Sequence, residues 1–133
     1  MQGNHINHIT LGKQGEARAA AFLRRRGYRI LEQNVRAGGV ELDIVAAKPR
    51  LIAFVEVKTR RGHRCGRPEE AVNAHKRARL VRGAAAWLRE SPARRVRTPG
   101  AALRFDVIAC EVHADGSWEI RHIEGAFDAG DGR

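Results

Sequence analysis

The stretch Glu41-Leu-Asp-Ile-Val45, followed after a short break by Phe54-Val-Glu-Val-Lys58, decides how this chain folds and where its chemistry lies. Both segments alternate apolar and charged residues with the two-residue period of a strand. In the first, Glu41 and Asp43 fall on one face and Leu42 and Ile44 on the other. In the second, Glu56 and Lys58 share a face with Phe54, and Val55 and Val57 point the opposite way. Ala47-Lys-Pro-Arg50 between them has hairpin length, so strands over 40–46 and 51–58 should pair antiparallel. If their charged faces coincide, Asp43, Glu56 and Lys58 converge across neighbouring strands.

Working outward, Tyr28 to Val35 reads as a preceding strand, closed by the turn Arg36-Ala-Gly-Gly39. Before it, Leu11 to Arg26 has a helical period, with Ala17, Ala20, Ala21, Phe22 and Leu23 on one side and Gly27 as the stop. After Pro68, which suits a helix start, Glu69 to Glu90 reads as a second helix with Val72, Leu80, Val81, Ala84, Ala85, Trp87 and Leu88 toward the core. Residues 91–100 read as a linker or loop. Leu103 to Val112 and Ser117 to Ile123 make a second hairpin around Ala114-Asp-Gly116. Residues 1–10 are expected to be a flexible start and 125–133 a frayed tail apart from Phe127, leaving one domain over 11–124. The order is an α/β pattern, αβββαβ in its core, with a central mixed sheet flanked by helices.

At 133 residues and 43% hydrophobic content, one core forms without disulfides or a structural metal. Cys65 and Cys110 have no partner at metal-ligand spacing and read as reduced thiols of a cytoplasmic protein. Apolar runs such as Leu51–Val55 fall far short of the ~18 residues of a membrane span. With 25 basic against 15 acidic side chains, the net charge of +10 favours a polyanionic partner, nucleic acid ahead of acidic lipid. One tyrosine and four phenylalanines argue against a row of stacking platforms for single strands.

The acids carry the chemistry. Aspartate is a poor strand former, so its presence in an otherwise apolar strand asks for a reason. Carboxylate oxygens suit Mg²⁺ or Mn²⁺, and Mg²⁺ is usually held by one or two carboxylates, with waters and substrate phosphates as its other ligands. Asp43 and Glu56 fit that pattern; an edge-strand ion pair of Glu56 with Lys58 is the plainer alternative. Glu16 lies on the core-facing stripe of the first helix, where it either joins the two acids or complements the helix dipole. Lysine is scarce among the basic residues, which draws the eye to Lys58 and to Lys76 at the border of the second helix's apolar face. A compact ammonium fits beside a metal-bound water where a guanidinium does not. Arg60, Arg61 and Arg64 in a glycine-containing basic segment, with Lys76 and Lys13, are the candidate contacts to a phosphate backbone.

Taken in order, Leu11-Gly-Lys-Gln-Gly-Glu-Ala17, Gly27-Tyr-Arg-Ile-Leu31, Asn34-Val-Arg36, Glu41-Leu-Asp-Ile-Val-Ala46, Phe54-Val-Glu-Val-Lys-Thr-Arg60, Arg104-Phe-Asp-Val107 and Ala126-Phe127 resemble the YraN-like family of bacterial endonuclease-like proteins. That family sits in the restriction-endonuclease-like PD-(D/E)xK superfamily, alongside archaeal Holliday junction resolvases. The resemblance implies a restriction-endonuclease-like core, with Asp43 and Glu56 as metal ligands, Lys58 orienting or deprotonating the attacking water, and Glu16 as the helix carboxylate. Val40 departs from it, standing where the family carries a glycine just before the acidic strand. A backbone needing φ > 0 there would resist valine. The expected activity is Mg²⁺- or Mn²⁺-dependent hydrolysis of phosphodiester bonds in DNA, structured or branched DNA included. A non-catalytic nucleic-acid-binding module with a vestigial site is the alternative. RNA in place of DNA, and a homodimer in place of a monomer, stay open.

Overall fold

The computed structural model describes residues 3–62, 72–90 and 100–129, with the side chains of the first segment described from Leu11. Its elements are α1 (Gly3–Arg25), β1 (Arg29–Ala37), β2 (Val40–Lys48), β3 (Leu51–Arg61), α2 (Ala74–Glu90), β4 (Ala102–Val112) and β5 (Trp118–Phe127). The strands form one sheet in the order β1-β2-β3-β4-β5. Pairing is antiparallel except between β3 and β4, which run parallel because α2 carries the chain back across one face. This is an α/β fold with a mixed sheet, consistent with a restriction-endonuclease-like core.

Apolar residues cover both faces, as a sheet between two helices requires. On one side Leu80, Ala84 and Trp87 of α2 pack on Leu42, Phe54, Phe105 and Phe127; on the other Ala19, Ala20 and Leu23 of α1 pack on Ile44, Val55, Ile108 and Cys110. Phe105 stacks on Phe54 and Phe127 with ring centroids 5.5 and 4.9 Å apart. That contact, together with the Gly125 amide donating to Asp106 Oδ1 at 3.0 Å, carries β5 through Gly125 to Phe127, past the point where the sequence suggests fraying.

Several boundaries differ from the sequence reading. Helix α1 starts at Gly3, because the polar residues before Leu11 are not helix breakers, and His5 and His8 fall on helical backbone. Strand β3 runs on through Arg60 and Arg61, which are therefore strand residues and not loop. Helix α2 starts at Ala74, with Asn73 Oδ1 accepting from the Lys76 amide at 2.9 Å as its N-cap and Val72 outside it. The expected start near Pro68, with Cys65 and Arg64, lies outside the described residues.

The larger correction concerns β2. Leu42 and Ile44 do not share a face: Leu42 packs with α2 and Ile44 with α1. Val45 is back on the α2 side, so the alternation slips by one residue around Asp43. Strand β1 slips with it. Val35 and Glu32 both face α2, Glu32 accepting a hydrogen bond from the Trp87 indole, and between them Asn34 takes φ +52°. The register Gln33↔Ile44 and Val35↔Leu42 is unbroken because both strands turn over together.

Candidate active site

The slip sets Asp43 where β2 parts from β3. The last pair between these strands at this end is Ile44↔Val55. One residue further, Asp43 replaces a ladder partner with its side chain, its Oδ2 accepting from the Val57 amide at 2.9 Å. The opened seam leads into a cleft of about 400 Å³ whose lining includes Glu41, Asp43 and Glu56 from the strands and Asn73, His75, Lys76 and Arg79 from the start of α2.

Glu56 is 7% exposed and faces α2 beside Phe54, as alternation requires. Its Oε2 lies 2.8 Å from Lys76 Nζ and 3.6 Å from Lys58 Nζ, so one buried carboxylate holds two ammoniums. The Asp43 carboxyl is pushed up to about 7, first by burial and then by the Glu56 charge, with a smaller push from Glu16. The Val57 amide and Lys76 pull the other way without prevailing. For Lys58, burial and the neighbouring Lys76 charge outweigh Glu56, and its ammonium gives up a proton more readily than an ordinary lysine. Lys76 suffers most from burial, but its hydrogen bond to Glu56, the Glu56 charge, Lys58 and Asp43 together outweigh this and raise its hold on the proton.

Asp43, Glu56, Lys58 and Lys76 thus come together, and half-buried Glu16 on α1 is near enough to act on Asp43. Neither Lys58 nor Glu16 lines the cleft itself. Glu16 is seated by the residue before it. Gly15 lets α1 touch β3, since a Cβ there would fall 1.8 Å from Thr59 Oγ1, and the Gly15 carbonyl lies 3.7 Å from the Cys110 sulfur. Burial raises that thiol to about 11, so Cys110 is a reduced core residue. Among the basic candidates, Arg60 faces Glu111, with Nε and Oε2 3.9 Å apart, while Arg61 and Lys13 are exposed. His75 and Arg79, one helical turn apart astride Lys76, are cleft residues that the sequence reading passed over. Their signal was the i, i+4 spacing around a lysine already singled out.

Val40 does not obstruct the site. The turn's positive φ values are at Gly38 and Gly39, whereas Val40 has ordinary strand geometry and is 3% exposed. Its side chain fills the space left by Gly83 on α2, where a Cβ would come 3.0 Å from Val40 Cβ.

A second polar cluster sits in the α1-side core. Asp106, fully buried, accepts two hydrogen bonds from Arg104 at 2.8 Å each and one from the Gly125 amide, with His122 Nε2 at 2.8 Å. Arg104 also donates to Tyr28 Oη at 2.6 Å. Burial alone would raise the Asp106 carboxyl, but the bonds from His122 and Arg104 outweigh it and hold it below the usual aspartate range. The cluster ties β4 and β5 to Tyr28, the residue just before β1.

Among the described residues no three His, Cys, Asp or Glu side chains stand grouped as a ready metal site. The donor chemistry nevertheless fits one divalent cation. Asp43 and Glu56 supply hard oxygens, and the strained ionisation of Asp43 beside Glu56 and Glu16 is what an added positive charge relieves.

The fold and the cleft define a mixed α/β domain with an acid-and-lysine cleft where two strands part. Residues 15–110 match the model of the uncharacterised protein family UPF0102, and the chain belongs to that family. It is 46% identical over 120 residues to a UPF0102 protein of Syntrophotalea carbinolica, covering 90% of this chain and 93% of that one. It is 44% identical over 119 residues to UPF0102 protein STH1475 of Symbiobacterium thermophilum (90% and 97% covered). Over 127 residues it is 42% identical to UPF0102 protein GSU0650 of Geobacter sulfurreducens (96% and 94%). No described helix is long and apolar enough to cross a membrane.

Proposed function

We propose that this protein is a metal-dependent nuclease that hydrolyses phosphodiester bonds in DNA. The observation that carries the reading is the meeting of Asp43, Glu56 and Lys76 at one cleft, with Lys58 beside Glu56 just behind it, in a protein of net charge +10. Asp43 and Glu56 would hold Mg²⁺ or Mn²⁺. When bound, such an ion polarises the phosphate, favours hydroxide over water and steadies the leaving oxygen. Lys58 Nζ, with its lowered hold on a proton, is suited to orient the attacking water and exchange a proton with it. Glu16, through Asp43, adds to the negative charge that favours cation binding. Lys76, Arg79 and Arg61 present cations to the phosphate backbone, with Lys13 further along α1. Arg60 is turned toward Glu111 and contributes less. Phosphate contacts of this kind carry affinity without base specificity.

The competing reading is a nucleic-acid-binding module with a spent site, and the Lys76–Glu56 pair favours it, since Lys76 already neutralises one of the two ligands. Labelled single-stranded, duplex and branched DNA, each with Mg²⁺, Mn²⁺ or EDTA, separates the two. The nuclease reading expects cleavage that EDTA and Asp43→Ala abolish. Salt-sensitive binding to every substrate with no cleavage of any assigns the binding module, and cleavage undiminished in EDTA removes the metal.

A further inference from the structure

We infer that Lys76 is an exchangeable counter-ion: it occupies Glu56 while the site is empty, is displaced when a divalent cation enters between Asp43 and Glu56, and is then handed to a phosphate of the DNA. The inference rests on the cation-site reading above and adds to it the order of events at that site.

The geometry separates the two lysines. Lys58 is fixed on the same strand as Glu56 and stands 3.6 Å from Oε2, whereas Lys76 reaches across from the first turn of α2 and stands 2.8 Å from the same oxygen. The nearer ammonium is thus the one on the separate element. A carboxylate that is 7% exposed needs a partner in the absence of metal, because an unpaired buried charge is costly. Lys76 supplies it, and a cation seeking Glu56 must compete with it.

The surroundings give the displaced ammonium somewhere to go. The Lys76 side chain keeps 39% of its surface open to solvent and lines the cleft between His75 and Arg79. An ammonium on a four-carbon stem can swing from carboxylate to phosphate without moving the helix, in a way a planar guanidinium cannot. Asn73 caps the helix through the Lys76 amide, so the backbone stays in place while the side chain exchanges. Cation and DNA phosphate then favour each other's binding by the same factor, since each removes an obstacle to the other.

The test reads Ca²⁺ affinity by calorimetry on DNA-free protein at fixed ionic strength. Lys76→Met keeps the apolar stem and removes the charge; it should bind Ca²⁺ about two- to fivefold tighter than the wild type, the scale of one removed ion pair. Lys76→Arg should bind no tighter than the wild type, and Asp43→Ala should lose binding. If Lys76→Met binds Ca²⁺ equally or more weakly while Asp43→Ala loses it, the counter-ion proposal is wrong and the cation site stands. If Asp43→Ala matches the wild type, the cation reading fails and takes the proposal with it. A measurement on the unaltered protein guards against a variant that does not fold. Lysine labelling read by mass spectrometry should show Lys76 becoming more reactive relative to Lys48 when Ca²⁺ is added, and protected again when a short DNA follows. Reactivity indifferent to Ca²⁺ overturns the proposal.

Discussion

Gly83→Ala and Val40→Gly, made singly and together, test whether the valine at the mouth of the cleft is accommodated by the missing side chain on α2. In the parent protein an added Cβ at position 83 meets Val40 Cβ at 3.0 Å, Val40 Cγ1 at 3.1 Å and Leu42 Cδ2 at 3.2 Å, all tighter than ordinary carbon contact. Val40 Cβ is fixed to the strand backbone and cannot rotate away. Overpacking of this kind costs about 1–3 kcal/mol, against which alanine in a helix interior returns ~1 kcal/mol, leaving a net destabilisation of about 1 kcal/mol. With Val40→Gly in place the first two contacts vanish. The same Gly83→Ala change should then stabilise by about 0.5–1 kcal/mol. Val40→Gly alone should cost about 2–3 kcal/mol, from lost burial and a flexible residue in a strand. Urea unfolding of the four proteins gives the coupling energy directly, expected near 2 kcal/mol. Additivity within about 0.5 kcal/mol would refute the contact between α2 and the start of β2, and with it the account of why valine is tolerated there.

Lys58→Ala should leave DNA binding in Ca²⁺ within a few-fold of the parent, yet slow single-turnover cleavage in Mg²⁺ by about 10²-fold or more, the usual share of a positioned acid or base; equal losses would reduce Lys58 to a phosphate contact. Asp43 and Asp106 should titrate stability in opposite directions. Asp106, held below the usual range, contributes stability that is full above pH ~4 and fades as pH falls through its folded value, so Asp106→Asn should cost about 3 kcal/mol near neutrality and progressively less in acid. Asp43, raised to about 7, withdraws stability as pH rises from ~4 through 7, so Asp43→Asn should melt higher than the parent at pH 8 without metal and lose that advantage below pH 4. Thermal melts across pH 3–8 check both, and parallel curves for parent and variant would contradict either assignment. Gly15→Ala should destabilise by about 1–2 kcal/mol, because rotating Thr59 removes the 1.8 Å overlap but leaves its Cβ at 3.0 Å; melting at or above the parent temperature would show that α1 does not dock there.

Element order and the two acidic strands were legible because period-two alternation and glycine punctuation are local signals. Glu56, Lys58 and Phe54 lie on one face as the spacing requires, and the hairpin between β2 and β3 pairs as its length suggests. The slip at Asp43 was not legible. A shared turnover of two paired strands leaves no mark in either sequence except an asparagine and an aspartate in strand positions, residues that tolerate irregular backbone. The N-terminal extent of α1 was missed because polar composition was read as a stop. The Asp106 cluster was likewise hidden. Its members Tyr28, Arg104, Asp106, His122 and Glu124 are scattered along the chain, and only the docking of β5 beside β4 brings them together.

The slip also explains why the candidate site lies there and not elsewhere on a sheet with charged residues at many positions. A regular β2 would spend the Val57 amide on a backbone carbonyl and keep Asp43 in the ladder. By turning over at Asn34 and Asp43, the paired strands free that amide for the Asp43 carboxylate and open the seam that α2 then flanks with His75, Lys76 and Arg79. The cost is concentrated in one place: a carboxyl that resists ionisation, a buried glutamate with two ammoniums, and an asparagine at positive φ. Elsewhere among the described residues the irregularities are those of turns and bulges, such as Arg50 at positive φ and the register shift between Phe105 and Val107, beside aromatic stacking on one face, a close-packed helix on the other, and an aspartate whose hydrogen bonds are all met. Departures from local rules that gather at one cleft point to that cleft as the candidate functional site, and they fall on the residues to which the proposed function assigns the cation and the phosphate.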